Sequence, residues 1–275
     1  MAKTSYDPSV ISITAHYTAY AWYVGGFAEA ERFVTERGRW LYRGGEVLMA
    51  PWKALGIPNI TDLFLIPRHK MIDHLAREAG CRQYVELAAG LSPRGASFTA
   101  DPAVRYIEGD LPDMIALKRS LVERAGRRPN HFFETVNLLE QPLEIPSAQA
   151  ERTVVITEGL ANYFPTDTYG RTLRGIVEFL RPRGGGVYLA DMHDRAQSRA
   201  YGVASRFFQQ LVNAISRTKT VMHFEDPAEG KRFFEDAGFD KVEVLSPRDY
   251  ARELGFTTDM NRDTVHVYRA EVSGT

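Results

Sequence analysis

Gln83-Tyr84-Val85-Glu86-Leu87, running into Ala88-Ala89-Gly90-Leu91-Ser92-Pro93-Arg94-Gly95, is the stretch whose reading decides the fold. The first five residues have the length and apolar content of a short strand buried on both faces. The small residues after it make a turn in which a ligand can approach the backbone, because a larger side chain at Ala89 or Gly90 would fill that space. Close packing of a strand-to-helix turn explains the same residues. As a dinucleotide fingerprint the loop is deficient. G-x-G-x-x-G needs three glycines for a pyrophosphate, and only Gly90 and Gly95 are present. A ligand without a pyrophosphate needs less.

Outward from this stretch, strands and helices alternate. Residues 68–79 place Met71, Ile72, Leu75, Ala76 and Ala79 at helical spacing, and Gly80 stops the helix. Strands are expected at 104–108, 131–138, 152–157 and 186–190. Helices are expected at 112–125, which opens on Pro112 and closes at Gly126, and at 167–180, closed by Arg183 and Gly184. Alternation with short loops implies an α/β protein with a doubly wound, mostly parallel sheet covered on both faces. Ligands of such sheets bind beyond the carboxyl ends of the strands, where the strand order switches.

The residues at those ends carry the functional reading. Glu108-Gly109-Asp110 follows the second strand, roughly 20 residues past the glycine turn, where an acidic side chain accepts hydrogen bonds from ribose hydroxyls. Asp110 is equally suited to cap the helix that starts at Pro112. Asn137 and Leu138 follow the third strand and suit an adenine edge and face, although Asn is also a common turn residue. Glu158 ends the wholly apolar fourth strand, beside Gly159. A carboxylate there is costly to bury without a cation, supplied by a ligand or by an arginine. His193 lies just past the fifth strand.

Composition narrows the class. The chain has 275 residues, 44% hydrophobic and 25% charged, with a net charge of −1. These values suit a globular protein and give no sign of a nucleic-acid or membrane partner. The basic cluster Arg124, Arg127 and Arg128 reads as a solvated helix end. One cysteine, Cys81, excludes an internal disulfide and a Cys-rich zinc site, and no metal is expected. Residues 1–10 are polar, with Asp7 and Pro8 where a signal peptide would be apolar, so a cytoplasmic protein is expected. The sequence carries no signal for oligomeric state.

Together these motifs resemble the leucine carboxyl methyltransferase family and its bacterial relatives that methylate small acids. The resemblance lies in Pro67-Arg68-His69-Lys70-Met71-Ile72-Asp73, in residues 85–95, in Tyr106-Ile107-Glu108-Gly109-Asp110-Leu111-Pro112 with Lys118-Arg119, and in Ile156-Thr157-Glu158-Gly159 with Tyr163. It implies a seven-stranded class I methyltransferase sheet whose last strand is antiparallel, with residues 242–245 and 265–269 as the final strands. It implies S-adenosylmethionine (SAM) as cofactor. Arg68 would pair with the cofactor carboxylate, and Glu86, Ala88 and Gly90 would lie along the first loop. Glu108 or Asp110 would hold the ribose, Asn137 and Leu138 the adenine, and Glu158 with Gly159 the methionine end. The family usually has glycine at Ala88, often aspartate at Asn137, and Asp-Thr-Arg in place of Ser92-Pro93-Arg94.

Such an enzyme mainly aligns acceptor and methyl group. A carboxylate acceptor needs no general base. A hydroxyl acceptor does, and His193 is the best-placed residue, with Tyr17 beside it as a second catalytic candidate. Residues 1–66 are expected to form an aromatic, helical cap, contributing His16 and Tyr20 to the acceptor together with Tyr163. Residues 67–275 form the cofactor-binding domain, with a helical insert at 195–222 as a lid. The function expected is O-methyl transfer to a carboxylate or hydroxyl of a small molecule. The rivals are methylation of a protein C-terminal carboxylate, a catalytically silent SAM-binding scaffold and, last, a nicotinamide-dependent oxidoreductase.

Overall fold

The computed structural model describes residues 8–54, 61–200, 221–259, 263 and 265–275. Seven strands form one sheet: β1 (Gln83–Leu87), β2 (Arg105–Asp110), β3 (His131–Thr135), β4 (Thr153–Thr157), β5 (Gly185–Met192), β6 (Lys241–Leu245) and β7 (His266–Ser273). Their order is β3-β2-β1-β4-β5-β7-β6. The first five strands are parallel, and β7 runs antiparallel between β5 and β6. The expected doubly wound, mostly parallel sheet is the one observed, and the order reverses between β1 and β4.

β1, β4 and β5 are buried along their whole length, which is why they read as near-continuous apolar runs rather than as alternating ones. One face carries Tyr84, Tyr106, Val154, Ile156, Val187 and Leu189, packed against Met71, Ile72, Leu75 and Ala76 of α3 (Ile66–Glu78). α4 (Arg94–Phe98) and α5 (Pro112–Arg124) continue this layer. The other face carries Val85, Leu87, Ile107, Val155, Tyr188 and Ala190. It packs against α6 (Thr166–Leu180) and Phe234 of the helix Pro227–Asp236.

Ahead of the sheet, α1 (Pro8–Val24) and α2 (Glu36–Ala54) pack on each other, and a π-helical turn, Thr61–Leu65, leads into α3. After β5 comes α7 (Arg195–Ala200). Most of the expected lid, residues 201–220, lies outside the described residues. Among the described residues no helix is long and apolar enough to cross a membrane.

His223 fixes the chain where it rejoins the described structure. It is buried, its Nε2–H donates to the Ala161 carbonyl at 2.8 Å, and its Nδ1 meets the Thr166 hydroxyl at 3.0 Å. Burial pushes its pKa below the ordinary histidine value. A folded-state pKa below the unfolded one contributes stability that is present above about pH 6.5 and is lost as pH falls through the folded value. The melting temperature of the protein is therefore expected to fall from pH 7 towards pH 5. His223→Gln is expected to flatten that dependence, as scanning calorimetry across the range will read.

Candidate active site

Alternation along the strands aims a row of carboxylates at the α3–α4–α5 layer. Glu86 follows Tyr84 on β1, Glu108 and Asp110 follow Tyr106 on β2, Glu158 continues from Ile156, and Asp191 follows Leu189 on β5. Each is at most 6% exposed or, for Glu158, has a side chain 5% exposed. These carboxylates divide into three groups with different partners.

The first group is an ion network built on two arginines. Arg68 of α3 donates from Nε to Glu158 Oε1 and from Nη1 to Asp191 Oδ2, both at 2.9 Å. Arg94 of α4 is fully buried and binds Asp73, Glu86 and, at 2.6 Å, Glu158 Oε2. Tyr106 donates its hydroxyl to Glu86 at 2.8 Å, and the Gly159 N–H donates to Asp191 at 2.6 Å. Burial alone would raise Glu158. The charges of His69, Arg68 and Arg94 outweigh it and hold the carboxyl well below its usual range. Asp191, with Arg68 as its chief cation, is left raised by burial. Gly159 has φ +68°, and a Cβ there would stand 3.3 Å from Arg68 Nη2. At this positive φ a side chain would be strained, and its Cβ would push the guanidinium back by a few tenths of an ångström.

The second group is Glu108 with Lys118 and His131. Its carboxylate is fully buried, 2.5 Å from Lys118 Nζ and 3.0 Å from His131 Nε2. Burial raises its pKa, but Lys118 and His131 overcome this and lower it. The third group is Asp110 alone. Its two oxygens accept the backbone N–H groups of Gly90 and Leu111, each at 2.7 Å. It lines a narrow cleft with Ala88, Asn137, Leu138, Leu160 and Phe164.

The first loop is held tightly. Ala88 sits at φ +52° and Gly90 at φ +48°, both in the left-handed region that glycine adopts without cost. Ala15 of α1 lies above Gly90, so that a Cβ on Gly90 would be 3.4 Å from it. Tyr163, whose pKa burial raises, is hydrogen-bonded to Thr14 of the same helix. Trp22 of α1 lies 4.6 Å, ring to ring, from His69. Phe64 stacks over Arg68 at 4.5 Å and meets the His193 ring at 4.4 Å.

Three residues expected at the cofactor have protein partners of their own. Glu86 is turned into the ion network, because its place on the strand aims it at Arg94 and Tyr106 rather than at the loop. Glu108 is enclosed by Lys118 and His131, which leaves Asp110 as the acidic residue at the cleft. Asn137 closes a turn: its Oδ1 accepts the Leu139 N–H at 3.1 Å and its Nδ2 donates to Glu140 at 3.0 Å. Arg68, Ala88, Gly90, Leu138, Glu158 and Gly159 stand around the ends of β1 and β4.

Among the acceptor candidates, His16 is buried with Nδ1 2.8 Å from the Thr35 hydroxyl, and Tyr17 and Tyr20 pack on Tyr42 at 5.5 and 5.2 Å. Of the basic cluster, Arg124 and Arg127 are exposed, and the partly exposed Arg128 pairs with Glu29 at 2.8 Å. Sequence reasoning missed Asp191, Asp73, His69 and the role of Arg94. For Asp191 the signal was present, since it ends an apolar strand as Glu158 does. For the others the partners lie on separate elements.

The leucine carboxyl methyltransferase family model matches residues 28–177 of the chain, more than half of it. The chain belongs to the leucine carboxyl methyltransferase family. Among its relatives, a candidate S-adenosyl-L-methionine-dependent methyltransferase of Mycolicibacterium gilvum (strain PYR-GCK) is 36% identical over 106 residues, covering 36% of this chain and 34% of that one. A second, from Mycolicibacterium smegmatis, is 29% identical over 185 residues, covering 59% and 56%. The matches thus span about a third to a little over half of these relatives' length.

Among solved structures, a candidate methyltransferase from Thermobifida fusca YX superposes with a TM-score of 0.56 at 17% identity, covering 94% of each chain. An O-methyltransferase family protein from Burkholderia thailandensis gives 0.54 at 16%, covering 98% of this chain and 74% of that one. Both share the class I methyltransferase fold found in this member of the leucine carboxyl methyltransferase family.

Gly95, in the first turn of α4, is fitted closely to the sheet. A Cβ there would stand 2.0 Å from Glu108 Oε1 and 2.6 Å from His131 Nε2, both fully or almost fully buried. Gly95→Ala is expected to cost on the order of 2 kcal/mol. For a domain of this size that lowers the melting temperature by roughly 4–8 °C, read by differential scanning calorimetry.

Proposed function

We propose that this chain is a SAM-dependent O-methyltransferase acting on a carboxylate or hydroxyl of a small organic acceptor. The observation that carries the reading is the charge of the network at the ends of β1, β4 and β5. Buried Glu86, Glu158 and Asp191, together with the partly exposed Asp73, face Arg68 and Arg94, so that carboxylates outnumber guanidiniums. Buried excess charge of this kind is costly and calls for a cationic ligand. SAM supplies an ammonium group and a methyl on a positively charged sulfur.

The rest of the site fits the same ligand. Each oxygen of Asp110 accepts one backbone N–H, so the carboxylate keeps acceptor capacity for ribose hydroxyls at the cleft. Leu138, Leu160 and Phe164 supply apolar surface there for a base. Gly90 allows close approach to the loop, and Arg68 with Glu158 would orient the amino-acid end. Residues 1–66 would act as the cap over the acceptor. Its support is the seating of α1 on Gly90, Tyr163 and His69. An acceptor carboxylate is ionised at neutral pH and needs only alignment and exclusion of water. For a hydroxyl acceptor His193, beside Phe64, would take the proton.

Two experiments test this reading. Calorimetric titration with S-adenosylhomocysteine, with NAD as control, is expected to show binding of the former alone. Asp110→Asn and Glu158→Ala are each expected to weaken it at least tenfold, and unchanged affinity in both would overturn the site. His193→Ala is expected to leave turnover of a carboxylate acceptor unaffected and to slow that of a hydroxyl acceptor on the order of a hundredfold.

A further inference from the structure

The first loop is held through one peptide unit, the one between Ala89 and Gly90. At one end Lys118 Nζ of α5 donates to the Ala89 carbonyl at 3.3 Å, and at the other the Gly90 N–H donates to Asp110 Oδ2 at 2.7 Å. The same carbonyl accepts the Ser92 N–H at 3.0 Å, which closes a turn within the loop, and the Ala89 N–H reaches the Gly109 carbonyl at 3.3 Å. Gly90 has φ +48° and Ala88 φ +52°. Glycine adopts either sign of φ about equally, so Gly90 by itself does not keep the peptide facing this way. Ala88 holds a left-handed conformation that its Cβ disfavours. The shape of the loop is therefore set by what the loop is bonded to.

Lys118 is fully buried. Its Nζ meets Glu108 Oε2 at 2.5 Å and the Ala89 carbonyl at 3.3 Å, and the buried Phe33 ring closes it off at 5.6 Å on the side of the cap. Glu108 is held in turn by His131 Nε2 at 3.0 Å. Pairing with Glu108 explains how a lysine can be buried here. It does not require the lysine to reach a loop carbonyl as well. That reach places Lys118 and Asp110 on opposite ends of one peptide plane, so that turning the plane breaks both bonds. The second oxygen of Asp110 accepts the Leu111 N–H at 2.7 Å, at the head of the helix that carries Lys118. The Ser92 bond differs, because it lies within the loop and moves with it.

We propose that Lys118 is a positioning residue of the cofactor site: by gripping the Ala89 carbonyl it fixes the Ala89–Gly90 peptide plane, and through the Gly90 N–H it sets the Asp110 carboxylate for ribose hydroxyls before the ligand arrives. The inference rests on the cofactor reading above. Lys118 meets no ligand atom and acts through one peptide unit. Without its bond the plane is free to turn about Gly90, the Gly90 N–H leaves Asp110, and the carboxylate loses the partner that aims it. Ligand binding must then restore the arrangement, which lowers affinity although every group that touches the ligand is still present.

The test is a double-mutant cycle on the full chain, read by calorimetric titration with S-adenosylhomocysteine. Lys118→Met, which keeps the length of the side chain and removes its donors, is expected to weaken binding about tenfold, the worth of one lost hydrogen bond. Because the lysine acts through Asp110, adding Lys118→Met to Asp110→Ala is expected to change affinity by no more than about twofold. Losses that multiply in the double variant, as independent sites would give, overturn the proposal. Hydrogen exchange of the ligand-free protein supplies a local readout that a merely structural role would not move selectively. In Lys118→Met, residues 88–95 are expected to exchange about tenfold faster while 153–157 of β4 keep their protection. Equal acceleration of both segments overturns the proposal. If Lys118→Met does not fold, Lys118→Met with Glu108→Gln, which leaves no unpaired carboxylate buried, carries the same cycle and the same exchange measurement. Wild-type binding with unchanged affinity in the Lys118 variant overturns this inference alone. Absence of binding by the wild type overturns the cofactor reading and this inference with it.

Discussion

A carboxylate at the end of a buried strand must find a cation, and the layer of helices over one sheet face is arranged around that requirement. Glu86, Glu158 and Asp191 are fixed in direction by strand alternation, so the cations have to come from outside the sheet. Arg68 comes from the first turn of α3 and Arg94 from the first turn of α4. Each guanidinium bridges carboxylates from different strands, which ties β1, β4 and β5 together through charged hydrogen bonds. Stability does not account for such a network. Replacing a buried ion set by apolar side chains of similar volume is often neutral or stabilising, whereas removing one partner costs about 3–5 kcal/mol. A network of this kind is therefore not explained by stability alone, and the ligand proposed above gives it a use.

The glycines and the cap follow from the same network. Gly159 lets Arg68 lie against the backbone after β4, and Gly95 lets α4 lie close enough for Arg94 to reach between the strands while clearing Glu108. Pairing of Glu108 with Lys118 takes its charge out of the site and anchors α5 to β2 at the same time. α1 then closes the layer from above, through Ala15 on Gly90 and Trp22 on His69. α1 and the charge network are thus in direct contact across the α1–α3 boundary.

Much of the sheet was legible because buried parallel strands are short apolar runs bounded by glycine, proline and charge. Residues 83–87 were read at their observed bounds, and the other strands within a few residues. The third was read three residues too long, to 138, because Val136 and Leu138 are apolar and buried yet belong to the turn that Asn137 closes. The geometry of the candidate site was legible in part. Residues placed by one element, such as Gly90, Asp110 and Glu158, show themselves by position at a strand end. The partners of Glu86 and Glu108 do not, because position along a strand does not tell which carboxylate a distant cation will claim. Arg94 and Lys118 lie 8 and 10 residues downstream of the carboxylates they neutralise. Asp191 was legible by the rule used for Glu158, and His69 was not, because its importance comes from three partners on three elements.

The sign of the charge also bears on which nucleotide-like ligand the switch between β1 and β4 favours. Both SAM and a dinucleotide carry an adenosine, and Asp110 with the apolar cleft suits either. They differ beyond the ribose, where one continues into a cationic amino-acid chain and the other into an anionic pyrophosphate. Past Gly90 the structure offers buried carboxylates in excess of guanidiniums, and the first loop lacks the glycine pattern that would present backbone N–H groups to phosphate. An anion placed there meets like charge in a poorly screened interior, where repulsion acts at several times its strength in water. The same carboxylates attract a sulfonium. On the proposed reading, adenosine recognition would be shared with other doubly wound proteins, and the ion network on the helical face would select what the adenosine is attached to.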